Sequence, residues 1–183
     1  MLLAQPLVLG LTNNTSSAWR AIVFHKLLVA MEMDSSERGH HVFDEAVALA
    51  KALNASLLLL HVLSLEEDSP GAPGMPGVDY YPWSREDTLL DYRKQWDTFE
   101  SECLELLRSR TNEAIAAGIT AEFAQLPGSV GEIICNVAHS WGADLIIMGR
   151  RGRTGLSELI LGSVSNYVLH HAPCSVVTVQ SPG

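Results

Sequence analysis

Positive charge is scarce in this chain, with 12 Lys and Arg against 21 Asp and Glu and a formal net charge of −9. That balance argues against nucleic acid or an anionic membrane as partner, since both are held by clustered basic side chains that neutralise phosphates. Cysteine is scarcer still. Cys103, Cys135 and Cys174 are an odd number without C-x-x-C spacing, so no disulfide framework or thiolate metal site is expected, and a reducing cytoplasm is. Each falls on an apolar position of a predicted helix or strand, the place of a small buried hydrophobe. Long hydrophobic runs are missing too, and nothing reaches the roughly 18 apolar residues that a membrane-spanning helix needs. The phosphoryl-transfer motif G-x-x-x-x-G-K-[ST] is absent, and no Ser/His/Asp or paired-carboxylate arrangement can be located. His40 with His41 and His170 with His171 are adjacent pairs, which point apart on a helix and make poor joint ligands, so no metal site is expected.

What the chain does contain is a regular alternation of short apolar runs and helical patterns. Leu27 to Met31 reads as a first buried strand, with Asp34, Ser35 and Ser36 as turn and cap residues before a helix that runs to about Leu53. The apolar positions Phe43, Ala46, Val47, Ala50 and Leu53 recur at the three and four spacing of one helical face, and Asn54 can end the helix. Ser56 to Leu63 is a second central strand. Ser84 with Asp87 resembles a capped start of a long helix to about Ala117, with Leu89, Tyr92, Trp96, Phe99, Cys103, Leu107 and Ala114 as its core stripe. Ala121 to Leu126 supplies a third strand, and Ser129 with Glu132 a capping box for a helix that Gly142 stops. The unbroken run Ala143 to Met148 is a fourth strand buried on both faces, and Ser175 to Val179 a fifth. The fold class is therefore α/β, a single doubly wound five-stranded parallel sheet with helices on both faces.

Two segments stand outside this rhythm. Glu66 to Trp83 is rich in proline and glycine and must be a long loop, whose Tyr80, Tyr81 and Trp83 form a lid, a subunit contact or an aromatic anchor. Residues 1–23 begin apolar but lack a basic leader region, and Asn13, Asn14 and Thr15 interrupt them. They are expected to be a poorly ordered extension or a misplaced translation start, with the domain occupying 24–183.

The stretch from Met148 to Val168, MGRRGRTGLSELILGSVSNYV, carries the chemistry. Gly149 and Gly152 are followed after nine residues by Gly162 and Ser163, which open a helix through Val164, Tyr167, Val168 and His171. Glycines allow close backbone approach, and a helix start offers unpaired N–H donors with a positive dipole end. Arg150, Arg151 and Arg153 add positive charge in an acidic chain. A solvated turn beside a tight helix start has the same spacing. The position beyond the carboxyl end of a central strand, where open α/β sheets bind ligands, favours an anion.

The pattern G-x-x-G-x9-G-[ST], together with KLLVAMEMDSS, LLLLHVLS and APCSVVTV in the same order, resembles the ATP-binding branch of the universal stress protein family over about residues 24 to 180. The resemblance implies strand order 3-2-1-4-5 and a crevice between Ala30 to Glu32 and Met148 to Gly152. It implies that Ala30, Met31, Glu32, His61 and Val62 border adenine, that Met148 and Gly149 line the ribose, and that Gly152, Gly162, Ser163, Val164 and Ser165 cradle phosphates with help from Arg151. His61 is equally readable as a satisfied, partly buried histidine. The family's first strand commonly ends in aspartate where this chain has Glu32, followed by Met33 and Asp34 as a small insertion. The expected function is ATP binding, with or without Mg2+, in a stress-response or signalling protein without efficient turnover. A slow ATP hydrolase and a nucleotide-free interaction scaffold are the alternatives. A homodimer through the C-terminal strand is expected, because an uncovered edge invites pairing.

Overall fold

Residues 24–32, 37–64, 86–150 and 162–180 are described by a computed structural model of the chain. They form β1 (Lys26–Ala30), α1 (Glu37–Leu53), β2 (Ser56–Leu63), α2 (Glu86–Ala116), β3 (Ala121–Pro127), α3 (Val130–Trp141), β4 (Leu145–Gly149), α4 (Ser163–His171) and β5 (Ser175–Val179). The sheet order is β3-β2-β1-β4-β5 with every neighbouring pair parallel, as expected from the sequence. Residues 1–23, the proline-rich loop and the Ser84 cap lie outside the described residues. Among the described residues no helix is long and apolar enough to cross a membrane.

Alternation along the strands explains their unbroken hydrophobicity. Leu27, Val29, Leu57, Leu59, Leu145 and Ile147 pack in one cluster with Phe43, Ala46 and Ala50 of α1 and Leu107 and Ala114 of α2. Leu28, Leu58, Leu60, Ile146 and Met148 pack in the other with Ile134 and Ala138 of α3 and Val168 of α4. Both faces of the central strands are thus withdrawn from water, which selects apolar residues at every position rather than every second one.

Three helices end by one device. Asn54, Gly118 and Gly142 adopt left-handed backbone at φ 53°, 87° and 73°. The residue after each donates its N–H five positions back, Ala55 to Ala50, Ile119 to Ala114 and Ala143 to Ala138, at 2.9, 3.1 and 2.8 Å. All three acceptors are buried alanines, at 1%, 0% and 0% exposure, so each turn satisfies a carbonyl and seats the next strand against the core. The fourth helix departs from this. Ala172 is extended, at φ −62° and ψ 140°, because it precedes Pro173.

The two halves of the sheet are locked where β1 meets β4. The carboxylate of Asp144 accepts the N–H groups of His25 and Lys26 at 2.8 and 3.1 Å, and Asp144 returns its own N–H to the Lys26 carbonyl at 3.0 Å. Lys26 Nζ donates to the carbonyl of Trp141 at 2.9 Å and lies 4.8 Å from its ring centroid.

Several expectations are corrected. Ser129 is the N-cap of α3, yet its side chain makes no cap hydrogen bond, so the capping box with Glu132 is not formed. Strand β4 begins at Leu145 rather than Ala143, because Ala143 is taken up by the helix-ending turn. The core stripe of α2 is fully buried only from Cys103 onward; Trp96 and Phe99 are half-buried, and Leu89 and Tyr92 lie outside the residues whose side chains are described. Cys103 is buried, whereas Cys135 and Cys174 are half-buried. Desolvation pushes both of these thiols up, and for Cys174 the Asp144 carboxylate and Cys135 add to it, which keeps them protonated and poorly nucleophilic.

Candidate functional site

The sheet parts at its centre. Pairing between β1 and β4 ends at Val29 with Ile147, while β1 continues beside β2 to Ala30 with Leu60 and β4 continues beside β5 to Gly149 with Val179. The N–H of Met31 then donates to the Leu60 carbonyl at 2.8 Å, drawing the chain further toward β2. Ala30, Met31, Met148 and Gly149 therefore flank a gap at the carboxyl ends of the two strands from which the crossovers leave toward opposite faces. That is where open α/β sheets bind ligands.

Helix α4 starts beside this gap. The N–H of Gly162 donates to the Arg150 carbonyl at 3.2 Å, which brings the N-cap of α4 against the exit of β4. Gly162 has no side chain to cap the helix, and the first intrahelical bond runs from Asn166 to Gly162 at 2.9 Å. Helical geometry thus leaves the N–H groups of Ser163, Val164 and Ser165 without an intrahelical acceptor, at the positive end of the helix dipole. Gly162 itself has φ −60° and ψ 155°, so the positive φ that a glycine would permit is not used here.

The predicted residues divide by what they can offer. Met31, Val62 and Met148 are at most 8% exposed, with side chains committed to the two cores, which leaves mainly their main chain for a ligand. Ala30, Glu32 and Gly149 are half-buried, Ser163 is exposed and Val164 half-buried. Ser165 is 2% exposed, and its hydroxyl lies 2.9 Å from the Arg150 carbonyl and 3.4 Å from that of Gly149. Its proton serves the junction between β4 and α4. His61 is buried with its Nδ1 3.4 Å from Nε2 of Gln125, on the face of β2 opposite to Val62. Arg151 and Gly152 lie outside the described residues.

Sequence reasoning placed Arg150 only within a basic cluster. Its N–H donates to the Val179 carbonyl at 2.9 Å and its guanidinium to Oε1 of Gln180 at 2.6 Å. No spacing in the sequence announces a contact between residues thirty apart in the chain.

A model of the universal stress protein family matches residues 24–180. The chain belongs to the universal stress protein family. This universal stress protein is 47% identical over 95 residues to universal stress protein Slr1101 of Synechocystis, covering 52% of the chain and 88% of that relative. It is 34% identical over 158 residues to universal stress protein YxiE of Bacillus subtilis, covering 86% of the chain and all 100% of YxiE. Among solved structures it matches hypothetical protein MJ0577 with a TM-score of 0.67 at 22% identity, over 88% of this chain and 99% of that one. A family protein of Arabidopsis thaliana with AMP bound matches with a TM-score of 0.57 at 21% identity, over 87% and 93%. A universal stress protein in complex with cAMP matches at 0.54 and 21% identity, over 87% and 99%.

Proposed function

We propose that this universal stress protein binds an adenine nucleotide, ATP with or without Mg2+, in the gap between β1 and β4, and acts in the cytoplasm in stress response or signalling without efficient turnover. The observation that carries this reading is the parting of the sheet after Val29 and Ile147, with the uncapped start of α4 set against the exit of β4. The AMP and cAMP carried by two relatives of the same fold support an adenine base, and the G-x-x-G-x9-G-[ST] spacing supports a chain of phosphates.

The base lies along the main chain at Ala30, Met31, Glu32 and Val62, and the ribose beside Met148 and Gly149. Phosphates meet the N–H groups of Gly152, Ser163, Val164 and Ser165, with Arg151 adding charge and Gly162 leaving the space open. Ser165 contributes through its main chain, since its hydroxyl proton goes to Arg150. The sequence has no G-x-x-x-x-G-K-[ST] lysine of the kind that clamps a terminal phosphate in a phosphoryl-transfer loop, which supports binding without efficient turnover. Two copies pair through β5.

Mass analysis of the nucleotide released from freshly purified protein, with calorimetric titration of the emptied protein, tests this. Co-purified ATP that rebinds and stays intact is the expected result. Magnesium-dependent phosphate release surviving repurification would make the protein a hydrolase, and no nucleotide in either assay would make it a scaffold.

A further inference from the structure

Three elements meet at Arg150, the first residue past β4. Its N–H donates to the carbonyl of Val179, the last residue of the edge strand β5. Its carbonyl accepts from the N–H of Gly162 and the hydroxyl of Ser165, the two residues that set the head of α4. Its guanidinium donates to Gln180 at 2.6 Å, extending the tie one residue beyond the last ladder pair, Gly149 with Val179.

We propose that Arg150 is a positioning residue that couples the anion site at the head of α4 to the end of edge strand β5, so that nucleotide binding orders that strand. The inference rests on the nucleotide reading above. Phosphate oxygens drawing on the N–H groups of Ser163 to Ser165 fix the first turn of α4, and with it the donors that hold the Arg150 carbonyl. A fixed Arg150 holds Val179 through the main chain and Gln180 through the guanidinium. Two hydrogen bonds meet Arg150 from the α4 side, and two more, one of them from its guanidinium, tie it to Val179 and Gln180. By linkage, anything that orders the end of β5 tightens nucleotide binding by the same factor.

Amide hydrogen exchange by NMR on the full chain, with calorimetry on the same preparations, tests the coupling in wild type, Gln180→Ala and Gln180→Glu. In wild type, ATP is expected to slow exchange of the β5 amides by about fivefold or more. Gln180→Ala, which removes the guanidinium tie but leaves the main-chain bond to Val179, should keep its ATP affinity within the reciprocal loss and lose most of the slowing, while Gln180→Glu, which keeps an acceptor for the guanidinium, should retain it. Equal slowing in Gln180→Ala, or none in wild type that binds ATP, overturns the coupling alone. If wild type binds no ATP, the nucleotide reading falls, and the unliganded proteins decide the tie. Gln180→Ala must then speed exchange of the Gly162 amide severalfold, and an unchanged rate there overturns it.

Discussion

On the proposed nucleotide reading, glycine at 162 matters for the side chain it lacks. At φ −60° and ψ 155° its backbone lies where any residue is comfortable, so a substitution brings no conformational strain. Gly162→Val is therefore expected to leave the fold and its circular dichroism unchanged while abolishing ATP binding in calorimetry, because the branched side chain fills the space beside the head of α4. Unchanged affinity in the folded variant would put the phosphates elsewhere. Gly131 is the opposite case. A Cβ there would stand 2.6 Å from Cδ1 of Tyr167, whose ring is stacked on His171 at 4.1 Å, so α3 and α4 approach only because that position is bare. Gly131→Ala should lower the urea-unfolding free energy by about 1–3 kcal/mol, the usual cost of overpacking. The motif spacing marks Gly162 in the sequence, whereas nothing there marks Gly131, whose role depends on how α3 meets Tyr167 of α4. The contacts of Arg150 are not legible in the sequence, because they come from the pairing of β4 with β5, which brings Val179 and Gln180 alongside.

At the scale of elements, strand and helix identities were legible because burial on both faces imposes continuous apolar runs and the helices keep a three and four spacing. Ser56–Leu63 and Ser175–Val179 fall where the sequence puts them. What escaped lies at the ends. Ser129 shows why, since its residue type suits a capping box that its side chain does not make, and Ala143 is apolar and buried like the strand that follows although it belongs to the turn that ends α3. Those turns give a clean measurement. Gly142 has φ 73° with nothing within 4 Å of where a Cβ would be, so alanine there meets only the left-handed backbone penalty. Gly142→Ala should cost about 1–2 kcal/mol in chemical denaturation, whereas Asn54→Gly, at φ 53°, should cost nothing measurable. A loss of similar size at both positions would mean that packing, not backbone conformation, sets the ends of these helices.

For the whole molecule, the sheet order followed from family resemblance and the parted centre from neither composition nor periodicity, since it depends on where a ladder stops. The same order leaves β5 paired on one side only among the described residues. Val177 on that strand is 42% exposed and lines a shallow groove of about 320 Å³ with Ala48, Leu49, Ala52, Ile147, Val179 and Glu45. Val177→Lys puts a charge on this apolar face and should convert the proposed dimer to monomer in sizing with light scattering. A dimer that persists would move the interface away from β5.

The lock at Asp144 also bears on time. Its carboxylate holds His25 and Lys26 across sequence separations of 119 and 118, so the flanks of the gap come together only when β4 docks on β1. Contacts that close so long a loop carry a larger closure entropy, so they are expected to form after the local pairings of the N-terminal half. A nucleotide seated across that seam has nothing to bind in a transition state that lacks it. In stopped-flow measurements ATP is therefore expected to slow unfolding in proportion to its occupancy and to leave the refolding rate as it is without ligand. The protein would then keep its shape longer when charged with nucleotide without acquiring that shape any sooner.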